Sequence, residues 1–181
     1  MSTAKTMRKI ETKLGELTLV ATESALVGVY FPDHQPAPRL ERVEAAGESE
    51  VLDRAAREIA AYVAGDATTF SVPIAFEGTA LQEDVWRALQ AIPRGETRTY
   101  GELAAAVGRP GSPRAVGQMV ARNPLTIVVP CHRVLAAGQR LNGFAGGIER
   151  KAALLGMENA AFRVPRPART TAAVEQTPPP S

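Results

Sequence analysis

Residues Thr99–Val134 read "TYGELAAAVGRPGSPRAVGQMVARNPLTIVVPCHRV", and the reading of this run decides the fold. Its first half predicts two short helices. Thr99 is placed to cap the first, over "TYGELAAAVG", and Gly108 is placed to stop it. "RPGS" makes a tight turn. Ser112 followed by Pro113 is a strong start for the second helix, because proline's fixed φ and missing N–H suit the first helical position. Two short helices joined by a glycine-containing turn match a helix-turn-helix. The apolar run "TIVV" then predicts a core strand, which Pro130 ends directly before Cys131.

The second helix is an odd reader of bases. Gly117 inside it costs roughly 1 kcal/mol relative to alanine. Close approach to a DNA groove and tight helix–helix packing explain that glycine equally well. Arg114, Gln118 and Arg122 are the long polar side chains offered, with Ala115 and Gly117 among them. Such a surface suits shape and backbone contact better than base reading.

Upstream, "TALQEDVWRALQAIP" predicts a helix capped by Thr79 and ended by Pro93, with Leu81, Val85, Trp86 and Leu89 on one face. Further back, "GELTLVATESALVGVYF" (Gly15–Phe31) predicts two strands joined at "TES", followed by a loop rich in Pro, Gly and charge. "VLDRAAREIAAYVAG" predicts a helix with Leu52, Ala56, Ile59 and Val63 on one face and Gly65 as its stop. "TTFSVPIAF" predicts a further strand, at an edge because of Pro73. Downstream lie the glycine loop "NGFAGG" (Asn142–Gly147) and a last helix, "IERKAALLGMEN". The expected class is α+β. A strand-rich α+β domain spans residues 1–76 and a mainly helical domain spans 77–162. A Pro/Thr/Ala-rich tail over 163–181 is expected to be disordered.

Composition narrows the function. A chain of 181 residues, 45% hydrophobic, can bury a core in one ordinary domain or two small ones. It has no apolar run long enough to span a membrane and no apolar signal core near Met1, so the expectation is a cytoplasmic protein with no membrane partner. One cysteine excludes an internal disulfide and any multi-cysteine metal site. With His34 and His132 the only histidines, neither metal nor cofactor is expected. Charge is uneven: residues 96–169 carry eleven Lys/Arg against four Asp/Glu, and residues 1–95 carry ten against fourteen. A basic second half fits an anionic partner, nucleic acid first, or a scattered solvated surface.

Cys131 admits two readings. A lone cysteine is commonly a small buried hydrophobe. As a nucleophile it must become a thiolate, and a free thiol at neutral pH is only a few per cent ionised. His132 is the adjacent candidate base, and Glu158 the candidate to orient it. "FAGG" supplies a loop with free backbone N–H groups.

"PCHRV", preceded by "RAVGQMVARNP" and followed by "GFAGG", resembles the active-site region of the O6-alkylguanine-DNA alkyltransferases. The likeness extends through "VWRALQAIPRGETRTYGELA" and "RKAALLGME", about Thr79 to Glu158. "ETKLGELTLVATESALVGVYF" and "AYVAGDATTFSVPI" resemble the family's N-terminal domain. The resemblance implies that Cys131 accepts the alkyl group, that His132 deprotonates it through a water, and that Glu158 orients the histidine. Tyr100 would crowd the phosphate beside the target nucleotide and help rotate it. Arg114 would enter the base stack in place of the flipped base. Ala115, Gly117, Gln118 and Arg122 complete the implied DNA face. Asn123 would tie the recognition helix to the cysteine segment, and Val134, Phe144, Ala145 and Gly146 would line or support the pocket. Phe144 stands where many members carry tyrosine, which keeps the stacking surface and loses the hydroxyl. Leu81 stands where phenylalanine is common.

The implied activity is DNA repair by direct reversal. The alkyl (methyl) group of O6-alkylguanine in double-stranded DNA passes irreversibly to Cys131 after base flipping. With no second cysteine to resolve the thioether, each molecule acts once, as a suicide methyltransferase. Preferred alkyl size, repair of O4-alkylthymine, and clustering of the expected monomer on DNA stay open. Three other classes are distinguishable. An alkyltransferase-like lesion sensor lacks the acceptor cysteine, and Cys131 is present. A cysteine hydrolase would need an acyl substrate and turnover, and no motif supports it. An adaptive-response regulator needs a zinc-cysteine domain that a single cysteine rules out.

Overall fold

The structure is a computed structural model that describes residues 3–164. Strands β1 (Thr6–Thr12), β2 (Gly15–Ala21) and β3 (Leu26–Tyr30) form an antiparallel meander, and β4 (Glu44–Ala45) joins β1 in parallel. The sheet order is β3-β2-β1-β4. Period-two patterning sends Leu17, Leu19 and Ala21 into the core. Helix α1 (Glu50–Ala64) follows. Ser49 caps it by accepting from the Leu52 N–H. Gly65, at φ 84°, ends it, with the Asp66 N–H bonded to Ala61 O and the Gly65 N–H to Tyr62 O. Its buried face is Val51, Leu52, Ala55, Ile59, Tyr62 and Val63. Ala56, expected on that face, is half-buried beside it.

The second part begins at α2 (Ala80–Gln90), whose Thr79 and Gln82 form a reciprocal capping box. Val85, Trp86 and Leu89 are its buried face, and Leu81 is only half-buried. Helix α3 (Tyr100–Ala106) has the same device in Thr99 and Glu102, and Gly108 at φ 73° turns the chain away. Helix α4 (Pro113–Ala121) starts on its proline. Ser112 sits at the cap position but makes no side-chain capping bond, so the start rests on Pro113 alone. Short strands β5 (Arg98–Thr99) and β6 (Val134–Leu135) pair in parallel, and α5 (Ile148–Met157) closes the chain.

Five expectations need correction. Strand β1 was not anticipated, because "TMRKIET" exposes or half-exposes every residue and its alternation is charged rather than apolar. Strand β4 lies within the expected loop. "TTFSVPIAF" forms no strand. Ile74 makes a single bridge to Leu26, whose N–H bonds Pro73 O at 2.8 Å, and a proline without an N–H cannot extend the ladder. "TIVV" is a tight buried turn, described below. At the other end, Arg163 is still paired. Its N–H bonds Gln139 O and its carbonyl accepts from Leu141, each at 2.7 Å. The expected tail therefore cannot begin at 163. The remainder of that expectation, residues 165–181, lies outside the described residues.

One buried cluster joins both parts: Leu17, Leu26, Val29, Leu52 and Ile59 from the first, and Val85, Leu103, Val116, Leu125 and Leu154 from the second. The edge of β3 is sealed by the second part, where the Val29 N–H bonds Pro124 O at 2.8 Å. Among the described residues, no helix is long and apolar enough to cross a membrane.

Candidate active site

The segment leading to Cys131 is held by one side chain. Asn123 is buried at the end of α4. Its amide donates to Val129 O at 2.9 Å, and its Oδ1 accepts from the Leu125 N–H at 3.0 Å. Between these anchors the backbone folds on itself, with the Val129 N–H bonded to Leu125 O and the Cys131 N–H to Val129 O, both at 2.8 Å. Ile127 occupies the left-handed region at φ 73°, a strained place for a β-branched residue. Such strain costs on the order of 1–3 kcal/mol and persists only where surrounding contacts over-determine it. Burial of Leu125, Ile127 and Val129 and the two Asn123 bonds supply that constraint. Three apolar residues after a threonine are compatible with a buried turn as much as a strand, which is why the strand expectation failed.

A 3-10 turn over Cys131–Arg133 then splits the three side chains. Cys131 lines a cavity of about 810 Å³, together with Tyr100, Arg114, Gly117, Gln118, Asn142, Phe144 and Ala145. His132 points the other way and is fully buried. Its Nε2 meets Glu158 Oε1, at the end of α5, at 2.8 Å. Burial would raise the Glu158 carboxyl. Hydrogen bonds from His132, Arg133 and Tyr62 outweigh it and hold the group well below the usual carboxylate range. An ionised carboxylate only accepts, so Nε2 carries the proton. Burial pushes the His132 imidazole down, against the pull of Glu158, so the ring is neutral and Nδ1 is an acceptor. No group among the described residues hydrogen-bonds that buried Nδ1.

The thiol itself is not a resting thiolate. Burial pushes Cys131 up, while the Asn123 side chain and the Lys151 charge pull it down without prevailing. Lys151 is wholly buried, and its Nζ donates to Asn142 Oδ1 at 3.1 Å and Gly143 O at 3.4 Å. Burial lowers its ammonium from 10.5 to about 8. Burial pushes the Tyr100 hydroxyl up and thus keeps it protonated, and Asn142 lines the cavity with it. Lys151 therefore lies behind the cavity and holds Asn142, which lines it together with Tyr100.

Gly117 now has a physical reason. A Cβ there would lie 3.3 Å from Tyr100 Cδ1, so the glycine makes room for that ring where α4 crosses α3. Of the remaining expected residues, Ala115 on α4 and Arg122 just past its end are exposed and do not line the cavity. Val134 does not line it either. It is fully buried in β6, and Ala136 and Ala137 take that place. Gly146 sits behind the loop, where a Cβ would strike the rings of Phe31 and Phe144. Sequence reasoning missed Tyr62, Arg133, Lys151, Asn142 and Gln35. Arg133 lies inside "PCHRV", and its place directly after Cys131 and His132 is the one signal the letters carry. Gln35, the N-terminal part's contribution to the cavity wall, hydrogen-bonds through its N–H to Ala145 O at 3.1 Å.

An open cavity floored by a single buried thiol, with a histidine–carboxylate pair behind it, defines a cysteine-centred protein. Its relatives agree. Residues 6–76 match the 6-O-methylguanine DNA methyltransferase ribonuclease-like domain, and residues 80–160 match the DNA binding domain of the same methyltransferases. The chain belongs to the 6-O-methylguanine DNA methyltransferase family. A methylated-DNA–protein-cysteine methyltransferase of Mycolicibacterium paratuberculosis is 40% identical over 151 residues, 83% of this chain and 90% of the relative. One from Methanosarcina acetivorans is 43% identical over 149 residues, 82% and 94%. The solved structure of Mycobacterium tuberculosis OGT in complex with DNA superposes with a TM-score of 0.79 at 40% identity, covering 84% of this chain and 92% of that one.

Proposed function

We propose that the protein is a methylated-DNA–protein-cysteine methyltransferase that repairs O6-alkylguanine in double-stranded DNA by moving the alkyl group to Cys131. The observation that carries this reading is the division of labour at Cys131 and His132: the thiol opens to the cavity while the histidine is bonded behind it to Glu158. Helices α3 and α4 act as a helix-turn-helix on the DNA. Arg109, Arg114 and Arg122 are exposed there and make no salt bridge among the described residues, so they are free for phosphates. Arg114 fills the stack, and Tyr100 guides the flipped nucleotide toward the cavity. The protein works as a monomer in the cytoplasm.

The chemistry is one displacement. The Cys131 proton passes to His132 Nδ1 through a water as sulfur attacks the alkyl carbon. The carbon–O6 bond breaks, and its electron pair goes to guanine. Tyr100, whose hydroxyl burial keeps protonated, donates a hydrogen bond to the leaving base. The imidazolium that forms is stabilised by Glu158, as the orienting carboxylate of other nucleophile–base pairs does. The thioether product is inert to water, so one molecule performs one transfer.

Incubation with an oligonucleotide carrying O6-methylguanine tests the proposal. Mass spectrometry should place one added methyl on the peptide containing Cys131, with none on Cys131→Ala. Methyl removal far beyond one equivalent of protein would sink the single-use mechanism.

A further inference from the structure

Glu158 is bonded more heavily than orienting one histidine requires. Its Oε2 accepts from Arg133 Nε at 2.9 Å. Its Oε1 meets His132 Nε2 at 2.8 Å, Arg133 Nη2 at 2.9 Å, and the hydroxyl of Tyr62. Arg133 is itself pinned, its Nη1 donating to Ile92 O at 2.7 Å. The direction of each bond is fixed by chemistry. Arginine only donates, so the Tyr62 oxygen accepts from Arg133 Nη2 at 3.0 Å. The ionised carboxylate only accepts, so the Tyr62 hydrogen goes to Glu158. Tyr62 is 1% exposed and lies on α1, in the N-terminal part of the chain, 96 residues from Glu158.

A carboxylate oxygen offers about two lone-pair sites. Three donors on Oε1 compete, and each weakens that oxygen's hold on the others. We infer that Tyr62 is a positioning residue supplied by the N-terminal part: its hydroxyl occupies Oε1 of Glu158, moderates the pull on the His132 proton, and so keeps the imidazole neutral with Nδ1 ready to accept. The inference rests on the reading of His132 as the base. The titratable and charged groups around that imidazole are Glu158 from the end of α5, Lys151 from within α5, Arg133 and Cys131 from its own turn, and Tyr62 from α1, over whose ring Arg94 lies at 5.8 Å. Among these, the Tyr62 hydroxyl can be removed without changing a charge. The ring also packs on Phe70, with centroids 4.8 Å apart, and Tyr62→Phe leaves that packing in place.

The test is nitrogen NMR of the two imidazoles in the full-length protein, His34 serving as internal reference, alongside the pH dependence of methyl transfer. Tyr62→Phe should raise the His132 protonation midpoint by about one pH unit, leaving His34 unmoved. The acid limb of the transfer rate should rise by the same amount, with alkaline rates within about twofold of wild type. Fluorotyrosine at position 62, a stronger donor of the same shape, should lower the midpoint, and it serves if the phenylalanine variant does not fold. An unmoved or oppositely moved midpoint overturns the inference. A uniform, pH-independent rate loss also overturns it, since a purely structural tyrosine would give that. A shifted midpoint whose rate limb does not follow upholds Tyr62 and instead removes His132 as the base.

Discussion

Lys151 Nζ donates to Asn142 Oδ1 at 3.1 Å, and no carboxylate reaches that buried ammonium among the described residues. A buried charge without a counter-charge is costly to the fold. Its contribution is local. The ammonium pulls the Cys131 thiol down, and it holds Asn142 and Gly143 of the loop that lines the cavity.

Lys151→Met should therefore separate stability from activity. The apolar side chain of similar length should leave the melting temperature unchanged or raised at pH 7, while methyl transfer slows by about tenfold or more. The pH dependence carries a sign. The folded ammonium titrates at about 8, below its unfolded value, so the unfolded chain binds more protons above pH 8. Wild-type stability should gain from this group as pH rises from about 8 through 10, a gain absent in Lys151→Met. Thermal melts of both proteins across that range decide it.

Glu158→Gln should cost about 3 kcal/mol or more, because Arg133 is left buried without its counter-charge. Glu158 titrates lower folded than unfolded, so its stabilising contribution is complete above the unfolded carboxylate range near 4 and fades as pH falls below it. Urea melts at pH 7 and pH 3.5 should show the difference between wild type and variant shrinking in acid. An unchanged difference would show that the charge is not what Glu158 contributes.

Gly117→Ala gains helix propensity of up to about 1 kcal/mol. It also brings a methyl 3.3 Å from the Tyr100 ring, which must give way by a few tenths of an ångström. We expect melting temperature to hold within a few degrees and methyl transfer to fall several-fold. Binding to undamaged duplex should change less than transfer does. A variant as fast as wild type would remove Tyr100 placement as the reason for the glycine.

Asn123→Ala removes two hydrogen bonds from a buried turn, leaving the Leu125 N–H unpaired and Val129 O with only the Cys131 N–H. The expected loss is about 2–4 kcal/mol. Hydrogen exchange should rise first over residues 125–131, where the left-handed Ile127 loses its constraint. Exchange spread evenly over the chain would place the damage elsewhere.

What the sequence made legible follows the range of the interactions. Thr79 with Gln82 and Thr99 with Glu102 are capping boxes three residues wide, so α2 and α3 could be read from their own letters. Gly65 and Gly108 mark helix ends by their local backbone needs. Cys131, His132 and Glu158 were candidates on their own letters, but their roles came through a family likeness, since nothing near "PCHRV" brings close a carboxylate 26 residues on. Tyr62 and Arg133 escaped notice because their bond spans 71 residues, and a tyrosine on a buried helix face looks like core. "TIVV" misled for the opposite reason: its apolar run was plain, but the left-handed Ile127 is set by Asn123 and tertiary burial rather than by its own preference.

The sealed edge of β3 also bears on protein engineering. Exchanging the first 76 residues with those of a relative would transplant more than a scaffold. The graft would carry half of the hydrogen bond between Val29 and Pro124, a stretch of cavity wall at Gln35, and the hydroxyl of Tyr62. Chimeras should succeed where the donor matches at those three places, and overall identity between the halves should predict little.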